Sequence, residues 1–387
     1  MQQIQTLNNI SNAVRDILTP DAYQIDHHVK QPVAILMRSA KCHDMEFGPE
    51  LRAIARAGAG TNNIPVDRCT QAGICVFNTP GANANAVKEL VFATMLASAR
   101  NLLSAMLWVE GIAGEGDEIP ALVEGGKKRF LGHEIAGKTL GVIGLGAIGV
   151  MVANDGCSLG MEVYGYDPFI SVDNAWGLSR AVKHADSLGD MLTRCDYLTI
   201  HVPLSDQTRH YVNAELLQQV KRGVTLLNFA RGELVQDEAM LTALADGQVG
   251  RYITDFPNEK MIGQPGVICT PHLGASTPES EENCAIMAAQ ELKDYLENGN
   301  IRNSVNLPNC SMPRSGEMRV CLLHQNAPNM IGKFTNLLAE RNANIANMTN
   351  RSRGDIAYTI IDLDQKVNHG IEDQLNALPD VIRVTLL

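Results

Sequence analysis

His272 and Arg231 are the residues of this sequence whose chemistry suits the oxidation of a hydroxyl group next to a carboxylate. A hydride leaves a secondary alcohol only if the hydroxyl proton also leaves, and a neutral imidazole accepts a proton near pH 7. A guanidinium can hold a carboxylate through two parallel hydrogen bonds. Glu259 is the acid available to contact the far nitrogen of His272, where a carboxylate would fix the tautomer and stabilise the imidazolium.

A glycine-rich turn predicts where the hydride acceptor binds. Gly144, Gly146 and Gly149 form a G-x-G-x-x-G directly after the apolar run Thr139–Ile143. In a dinucleotide-binding turn, the first glycine makes the tight turn and the second lets the backbone approach a pyrophosphate. The third lets the following helix pack closely on the strand. The amino end of that helix offers free N–H groups and a positive dipole to the phosphates.

Asp167 favours the dinucleotide interpretation over an ordinary glycine turn without a ligand. It ends a second apolar run, Met161–Tyr166, eighteen residues after Gly149. A carboxylate at this point accepts hydrogen bonds from ribose hydroxyls and repels a 2′-phosphate, so NAD is favoured over NADP. The intervening helix contains Asn154–Gly156, which are poor helix formers, and we therefore expect it to be short or distorted.

Apolar runs from residue 138 to residue 275 predict the sheet that positions these side chains. They occupy residues 140–143, 161–166, 197–202, 224–229, 250–254 and 267–270. The segments between them are long enough for crossover helices, which predicts an α/β fold with a doubly wound, mostly parallel sheet. Ligands bind beyond the carboxyl ends of such strands. The residues found there are Asp167, His201, Arg231, Asp255 and His272.

Two further regions flank the predicted sheet. Residues 1–80 have the pattern of a small α/β unit with four strands, and residues 83–107 that of one long helix. A helix over 277–298 is followed by a linker, Asn306–Gly316, which contains two prolines. The last seventy residues have the order βαββαβ, which is ferredoxin-like. A module of this size has a thin core, so we expect it to pair with another copy.

Composition excludes several classes of protein. The net charge of −11 argues against nucleic acid or an anionic membrane as a partner. The most apolar long segment is interrupted by Arg100 and Asn101, which argues against a transmembrane helix. The amino terminus lacks the features of a signal peptide, and the nine cysteines include no Cys-x-x-Cys. We therefore expect a cytoplasmic protein with reduced thiols and no metal site.

The motifs together resemble the NAD-dependent D-2-hydroxyacid dehydrogenases, in particular the compact members with one carboxy-terminal ACT regulatory domain. They are GLGAIG at 144–149, Asp167, HVPL at 201–204, NFARGELV at 228–235, TDF at 254–256 and PHLGAST at 271–277. The resemblance covers nearly the whole chain. It implies a discontinuous, flavodoxin-like substrate domain of residues 1–97 and 276–306. It also implies a Rossmann NAD domain of residues 98–275 and a ferredoxin-like ACT domain of residues 317–387.

The resemblance assigns roles residue by residue. It implies that Arg231, Glu259 and His272 are catalytic, although Glu259 is four residues after Asp255 where the family usually has five. The implied cofactor-binding residues are Gly144, Gly146, Ala147, Ile148, Gly149, Asp167, His201, Pro203, Phe229, Ala230, Arg231, Asp255, His272, Gly274 and Ala275. The implied substrate is 3-phospho-D-glycerate, oxidised in the first step of L-serine biosynthesis. Its implied ligands are Arg38, Ser39, Ala59, Gly60, Lys128, Arg129 and Arg231.

The carboxy-terminal module carries a second implied site. His324, Asn326 and Asn344 match positions that bind L-serine as an inhibitor, with the site shared between two modules of a homodimer or homotetramer. The glycine usual in the following turn is Asn329, which tolerates the left-handed conformation. The alternative is a tail that only joins subunits.

Two other functions remain open at this point. One is a sister dehydrogenase acting on glycerate, glyoxylate, lactate or 2-hydroxyglutarate. The other is a non-catalytic, NADH-sensing corepressor-like protein, since such relatives share the fold and can retain the same Arg, Glu and His.

Overall fold

The computed structural model describes residues 1–367 and 370–387, which divide into two compact units. The first unit comprises Met1–Ala82 and Glu281–Leu387, and the second comprises Asn83–Ser280. The sequence predicted three domains. In this division the carboxy-terminal module groups with the first unit, and residues 83–97 and 276–280 group with the second.

The first unit begins with a five-stranded parallel sheet of order β2-β1-β3-β4-β5, which is the flavodoxin-like order. Its elements are β1 Gln2–Leu7, β2 Tyr23–Asp26, β3 Ala34–Met37, β4 Ala53–Arg56, α1 Val66–Gln71 and β5 Cys75–Phe77. The central strand β3 is buried along its whole length, as expected for a parallel strand covered on both faces. The edge strand β2 was not predicted, because its buried and exposed residues alternate over only four positions.

Three helices open the second unit: α2 Ala84–Ala99, α3 Leu102–Gly111 and α4 Ile119–Gly126. The prediction of a single long helix over 83–107 is wrong. The chain bends by 63° between α2 and α3, where Asn101 adopts the left-handed conformation with φ 51°. In the described residues, no single helix combines the length and hydropathy of a membrane span; only the bent pair of α2 and α3 does so jointly.

The second unit is built on a seven-stranded parallel sheet of order β12-β11-β10-β9-β6-β7-β8. The order reverses between β6 and β9, as in the Rossmann fold, which confirms the predicted doubly wound sheet. Its elements are β6 Thr139–Ile143, α5 Ala147–Ser158, β7 Glu162–Tyr166, α6 Val172–Gly177, β8 Lys183–His184, α7 Leu188–Leu192, β9 Tyr197–Ile200, α8 Ala214–Gln219, β10 Val224–Asn228, α9 Asp237–Ala245, β11 Val249–Thr254 and β12 Val267–Cys269.

Helix α5 is an unbroken twelve-residue helix, contrary to the expected distortion. Tertiary contacts override the poor local propensity. Asn154 bonds the backbone of Gly177 and Ser179, and Asp155 pairs with Lys88 at 2.8 Å. Gly156 lies where an added Cβ would come within 2.9 Å of a Leu140 methyl group, so the absence of a side chain lets the helix approach the sheet.

The last elements are α10 Pro278–Asn298, β13 Met318–Gln325, α11 Met330–Glu340, β14 Ile345–Arg353, β15 Ile356–Leu363, α12 Gly370–Asn376 and β16 Val381–Leu386. The four strands form an antiparallel sheet of order β14-β15-β13-β16 and give the ferredoxin-like order that was predicted. Helix α12 was predicted over residues 369–377, and residue 369 lies outside the described residues.

The four-stranded sheet has apolar contacts on both faces. Val320 and Leu322 pack on one face with Phe334 and other residues of the two module helices. Cys321 and Tyr358 belong to the opposite side and share a core with the five-stranded sheet and α10. The predicted linker also contributes buried residues to that core, Leu307, Cys310 and Met312. The thin core of the module is therefore completed within its own unit.

A buried ion pair joins the four-stranded sheet to α10. Arg319 bonds both carboxylate oxygens of Asp362, at 2.6 and 2.8 Å, and donates to the carbonyl of Asn298 at 2.7 Å. Neither charged side chain is exposed. Ser315 completes the arrangement by donating from its backbone and its hydroxyl to Asp362.

Candidate active site

The glycine turn follows β6 and is constrained by its neighbours at two positions. Gly144 has φ 91°, and an added Cβ would lie 2.8 Å from the His201 backbone. An added Cβ at Gly149 would lie 1.9 Å from the carbonyl oxygen of Gly144. Glycine is therefore required at the turn itself and where α5 packs on it.

The amino end of α5 fits a pyrophosphate. The first helical hydrogen bond runs from the N–H of Val150 to the carbonyl of Gly146, so the amides of Ala147 and Ile148 precede it. Apart from Gly146 itself and its two chain neighbours, no atom of the described residues lies within 4 Å of an added Cβ at Gly146. Open space, unfilled N–H groups and the helix dipole together suit an anion at this point.

Asp167 lies at the end of β7 and is fixed by the backbone. One carboxylate oxygen accepts from the N–H of Leu145 at 2.8 Å, and the other accepts from the N–H of Phe169 at 2.9 Å. The first bond places the carboxylate beside the glycine turn. Each oxygen keeps a second lone pair for a ribose hydroxyl.

His201 follows β9, next to the turn on the other side of the topological switch point. Its Nε2 lies 2.9 Å from the hydroxyl of Thr199, and burial lowers its pKa below the ordinary value. The imidazole is therefore neutral at pH 7. Pro203 lies on the exposed loop beyond it, with its carbonyl accepting from the Thr208 hydroxyl at 2.6 Å.

Arg231 belongs to a turn held by Asn228, a residue that the sequence reasoning missed. The buried amide of Asn228 donates to the carbonyl of Arg231 at 2.9 Å and accepts from the N–H of Ala230 at 3.2 Å. Phe229 is buried in the core behind the turn. The side chain of Arg231 is half-buried and its Nη1 donates to the carbonyl of Ala230. The only sign in the sequence that Asn228 holds this turn was its place at the start of the NFARG motif.

Asp255 is fully buried at the end of β11, and its hydrogen bonding is incomplete. One carboxylate oxygen accepts from the N–H of Gly274 at 3.3 Å, while the other has no hydrogen-bond partner among the described residues. Burial raises its pKa, and the charges of His272 and Arg231 offset part of that rise. A buried acceptor without a partner is costly. It is suited to a donor group such as the nicotinamide carboxamide, so the residues present fit NAD.

His272 is exposed beyond β12, with its ring 4.6 Å from that of Phe256. Glu259, its expected partner, is also exposed. Among the described residues no hydrogen bond joins the two side chains. Asp255 is the carboxylate whose pKa, raised by burial, is partly lowered again by the charge of His272. The catalytic role of Glu259 therefore stays a prediction, and the shortened loop does not bring it to His272 here.

The implied carboxylate loop of the first unit, Ala59–Asn62, is held from two sides. Thr79, which is buried, accepts from the N–H of Gly58 at 2.8 Å, and Asn78 donates to the carbonyl of Ala59 at 2.5 Å. Asn63 donates to the carbonyls of Arg38 and Ala40. Neither Thr79 nor Asn63 was singled out in the sequence. Ala59 is exposed and Gly60 is half-buried, and the backbone around them is fixed.

Arg38 and Ser39 follow β3 in the same unit. The side chain of Asn8 accepts from the N–H groups of Ser39 and Ala40, which fixes the turn. The guanidinium of Arg38 is bonded to Glu281, with Nη1 2.6 Å from a carboxylate oxygen. The residue expected to bind phosphate therefore already has an acidic partner.

Lys128 and Arg129 belong to the second unit and are exposed. The guanidinium of Arg129 stacks 5.0 Å from the ring centre of Trp108 and 5.9 Å from that of Phe130. Stacking orients the guanidinium and leaves its N–H groups in the ring plane available. Their role in phosphate recognition stays a prediction.

The three residues of the predicted serine site differ in how deeply they are buried. His324 is 2% exposed, with Nδ1 2.7 Å from the Gln325 carbonyl and Nε2 2.9 Å from the Thr359 hydroxyl. Asn326 and Asn344 are exposed, and Asn344 donates to Asp364 at 2.7 Å. Asn329 adopts the left-handed conformation with φ 65°, as expected.

The second unit matches a sequence profile described as "D-isomer specific 2-hydroxyacid dehydrogenase, NAD binding domain" over residues 92–274. The D-3-phosphoglycerate dehydrogenase of Haemophilus influenzae is 32% identical over 361 residues, covering 89% of this chain and 83% of that protein. The chain belongs to the D-2-hydroxyacid dehydrogenases. The NAD-dependent dehydrogenase predicted from the glycine turn and the strand-end residues is confirmed.

Other D-2-hydroxyacid dehydrogenases extend the likeness. The D-3-phosphoglycerate dehydrogenase of Methanocaldococcus jannaschii is 36% identical over 285 residues, which cover 72% of this chain and 52% of that protein. The chain therefore spans about half the length of that relative. The crystal structure of NAD⁺-bound 3-phosphoglycerate dehydrogenase of Entamoeba histolytica matches with a TM-score of 0.61 and 25% identity. That match covers 79% of this chain and 98% of that one.

Proposed function

We propose that the protein oxidises 3-phospho-D-glycerate to 3-phosphooxypyruvate with NAD, the first step of L-serine biosynthesis. The observation that carries the proposal is the 32% identity with a D-3-phosphoglycerate dehydrogenase over 89% of the chain. A match of that length includes the strand-end residues of the second unit and the loop Ala59–Asn62 of the first. The local geometry of His272, Arg231 and Asp255 supports the same chemistry.

Each candidate site residue of the second unit has a defined task in the proposed reaction. NAD, when bound, supplies the acceptor of the hydride. The amides of Ala147 and Ile148 would hold its pyrophosphate, Asp167 would hold the ribose hydroxyls, and the free oxygen of Asp255 would accept from the carboxamide. Arg231 binds the substrate carboxylate and orients the carbon that loses the hydride.

The proton of the substrate hydroxyl goes to His272. Its imidazole becomes an imidazolium, which a nearby carboxylate stabilises. Burial raises the pKa of Asp255, but the charge of His272 offsets part of that rise, so an ionised Asp255 would be one such carboxylate. Catalytic hydrogen bonds often tighten only in the substrate complex, so a movement of the loop that brings Glu259 to His272 would complete the predicted triad.

A turnover panel tests the proposal. 3-Phospho-D-glycerate, D-glycerate, D-lactate and D-2-hydroxyglutarate are each assayed with NAD by following NADH absorbance. We expect the highest kcat/KM with 3-phospho-D-glycerate. A higher value with an unphosphorylated acid assigns the protein to a sister dehydrogenase. No turnover with any acid, together with tight NADH binding, favours the corepressor-like alternative.

We further propose L-serine as an effector at Asn326 and Asn344, with His324 supporting the site from the core. The two carboxamides supply donors and acceptors for a zwitterionic ligand. Since α11 separates the two asparagines, two modules are needed to enclose one ligand. Asn344→Ala should abolish inhibition and leave uninhibited turnover intact. Full activity of the wild type in millimolar L-serine would leave the module only a role in assembly.

We also propose that the protein forms a homodimer or homotetramer. Helix α3 has no buried residue and exposes Leu102, Leu103, Met106, Leu107 and Val109. Exposed apolar patches of this kind mark contact surfaces. Leu107→Glu should lower the mass measured by light scattering. An unchanged mass would exclude α3 from the interface, and a monomeric wild type would refute the proposal.

A further inference from the structure

The ion pair of Arg38 and Glu281 is the starting point. Arg38 Nη1 lies 2.6 Å from a carboxylate oxygen of Glu281, and the side chains are 37% and 45% exposed. Glu281 lies in the first turns of α10, and it is the residue at which α10 enters the first unit. The pair is therefore accessible to solvent and to a ligand, and both partners belong to one unit.

Arg38 is held at its backbone, while its guanidinium depends on Glu281. The carbonyl of Arg38 accepts from Arg56 Nε at 2.9 Å and from Asn63 at 3.2 Å. In the described part of the chain, the guanidinium forms no hydrogen bond or ion pair other than that with Glu281. The head group can therefore change partners without any loss in the turn that carries it.

We propose that Glu281 is a specificity-determining residue that occupies Arg38 in the free protein and is displaced by the phosphate group of the substrate. The inference rests on the proposed function, because it assigns to Arg38 the phosphate of 3-phospho-D-glycerate. It concerns a different step, the exchange of one anion for another on the same guanidinium.

The electrostatics of the exchange determine its direction. A phosphate monoester carries more charge and more acceptor oxygens than a carboxylate, so it is the stronger partner for a guanidinium. A carboxylate left beside a bound phosphate repels it. Glu281 therefore lowers the affinity for phosphorylated acids below that of an unoccupied Arg38. An acid without a phosphate displaces nothing, and its binding does not depend on Glu281.

The test is a pair of isosteric variants on the same helix. Glu281→Gln removes the charge and keeps the shape. Glu282→Gln makes the same charge change at the next residue, which is exposed and has no ion pair among the described residues. Both variants are assayed with 3-phospho-D-glycerate and with D-glycerate, and titrated with inorganic phosphate by calorimetry. Thermal unfolding of each variant establishes that it is folded.

We expect Glu281→Gln to raise the ratio of kcat/KM for 3-phospho-D-glycerate to that for D-glycerate by about three- to fivefold, the size expected of a half-exposed ion pair. The change should come from a lower KM with the phosphorylated acid. Inorganic phosphate should bind more tightly by a similar factor. Glu282→Gln should leave both quantities within about twofold of the wild type, since adjacent residues of a helix do not face the same partner.

A second pair of measurements isolates the exchange. In the Arg38→Gln background, Glu281→Gln should have no further effect, because the residue for which the two anions compete is gone. An effect of equal size in that background would mean that Glu281 acts by general repulsion, and it would overturn the exchange.

Two other outcomes would overturn the inference. An unchanged ratio in Glu281→Gln makes the pair a passive surface contact. A raised KM for 3-phospho-D-glycerate makes Glu281 an orienting partner of Arg38 instead of a competitor. These outcomes are distinct from failure of the proposed function, which appears in the wild type as a preference for D-glycerate. The phosphate titration still decides the exchange in that case.

Discussion

Asp255 and His324 are both buried polar side chains, and they differ in whether their hydrogen bonding is complete. Asp255 lies at the carboxyl edge of the seven-stranded sheet, and one of its oxygens has no hydrogen-bond partner in the described part of the chain. His324 lies in the core of the four-stranded module with a partner at each ring nitrogen. A buried polar group with unfilled hydrogen-bonding capacity calls for an explanation, and at the carboxyl edge of a parallel sheet a bound ligand provides one. A group whose capacity is filled already has its partners. The contrast separates a site prepared for a ligand from a polar residue that supports the core.

The largest expected effect concerns the base at the sheet edge. His272→Ala should lower kcat by about 10²–10⁴-fold, because a positioned base contributes that much. NADH affinity, measured by fluorescence, should change little. His184→Ala, at an exposed position of the same unit, is the matched control. Similar losses in kcat and NADH affinity would make His272 a structural residue.

Cofactor choice gives the next effect. Asp167 lies beside the glycine turn, and a 2′-phosphate there would face a fixed carboxylate. Such like-charge contact costs several kcal/mol, so NAD should exceed NADP in kcat/KM by more than about a hundredfold. Asp167→Ser should narrow that gap. Equal efficiency of the wild type with both cofactors would remove Asp167 from the ribose site.

The two acids of the β11 loop provide the sharpest division within the site. Asp255→Asn should weaken NADH binding by about ten- to a hundredfold, because a charge-assisted bond of about 1.5–3 kcal/mol is lost. Glu259→Gln should leave NADH binding unchanged, lower kcat to a smaller extent than His272→Ala and shift its pH profile. If Glu259→Gln is silent in kcat and in the pH profile, Asp255 alone stabilises the imidazolium.

The smallest expected effect concerns His324, the buried residue whose hydrogen bonding is complete. Burial lowers the pKa of His324, so the folded module holds it neutral while the unfolded chain protonates near the ordinary value of about 6.5. Its contribution to stability is complete above that pH and is lost as the pH falls through the lowered folded pKa. The difference in unfolding free energy between wild type and His324→Gln should therefore shrink toward pH 5. A constant difference would contradict this. His201 also has a lowered pKa, but it is common to both proteins.

Sequence reasoning succeeded where the backbone sets the structure. The glycines of the turn are required by positive φ or close approach, and buried parallel strands are continuous apolar runs, so both are readable from residue type. Sequence reasoning failed where a single side chain determines the local backbone structure. The bend at Asn101 depends on a left-handed asparagine, and the turn of Arg231 depends on the buried amide of Asn228. The position of Glu259 depends on a loop length whose geometry no local pattern records.

The core shared between the carboxy-terminal module and the five-stranded sheet has a consequence for how such a module is gained or lost. Phe77 and Tyr295 pack in one core with residues of β13 and β15, and Arg319 bonds α10 directly. A gene truncated after residue 316 would encode a protein with bare apolar surface and an uncapped helix end. The module is therefore not an independent domain that can be removed without exposing apolar surface on the rest of its unit. Its removal requires compensating substitutions on the sheet that it covers, so the carboxy-terminal module and the five-stranded sheet of this chain are constrained to evolve together.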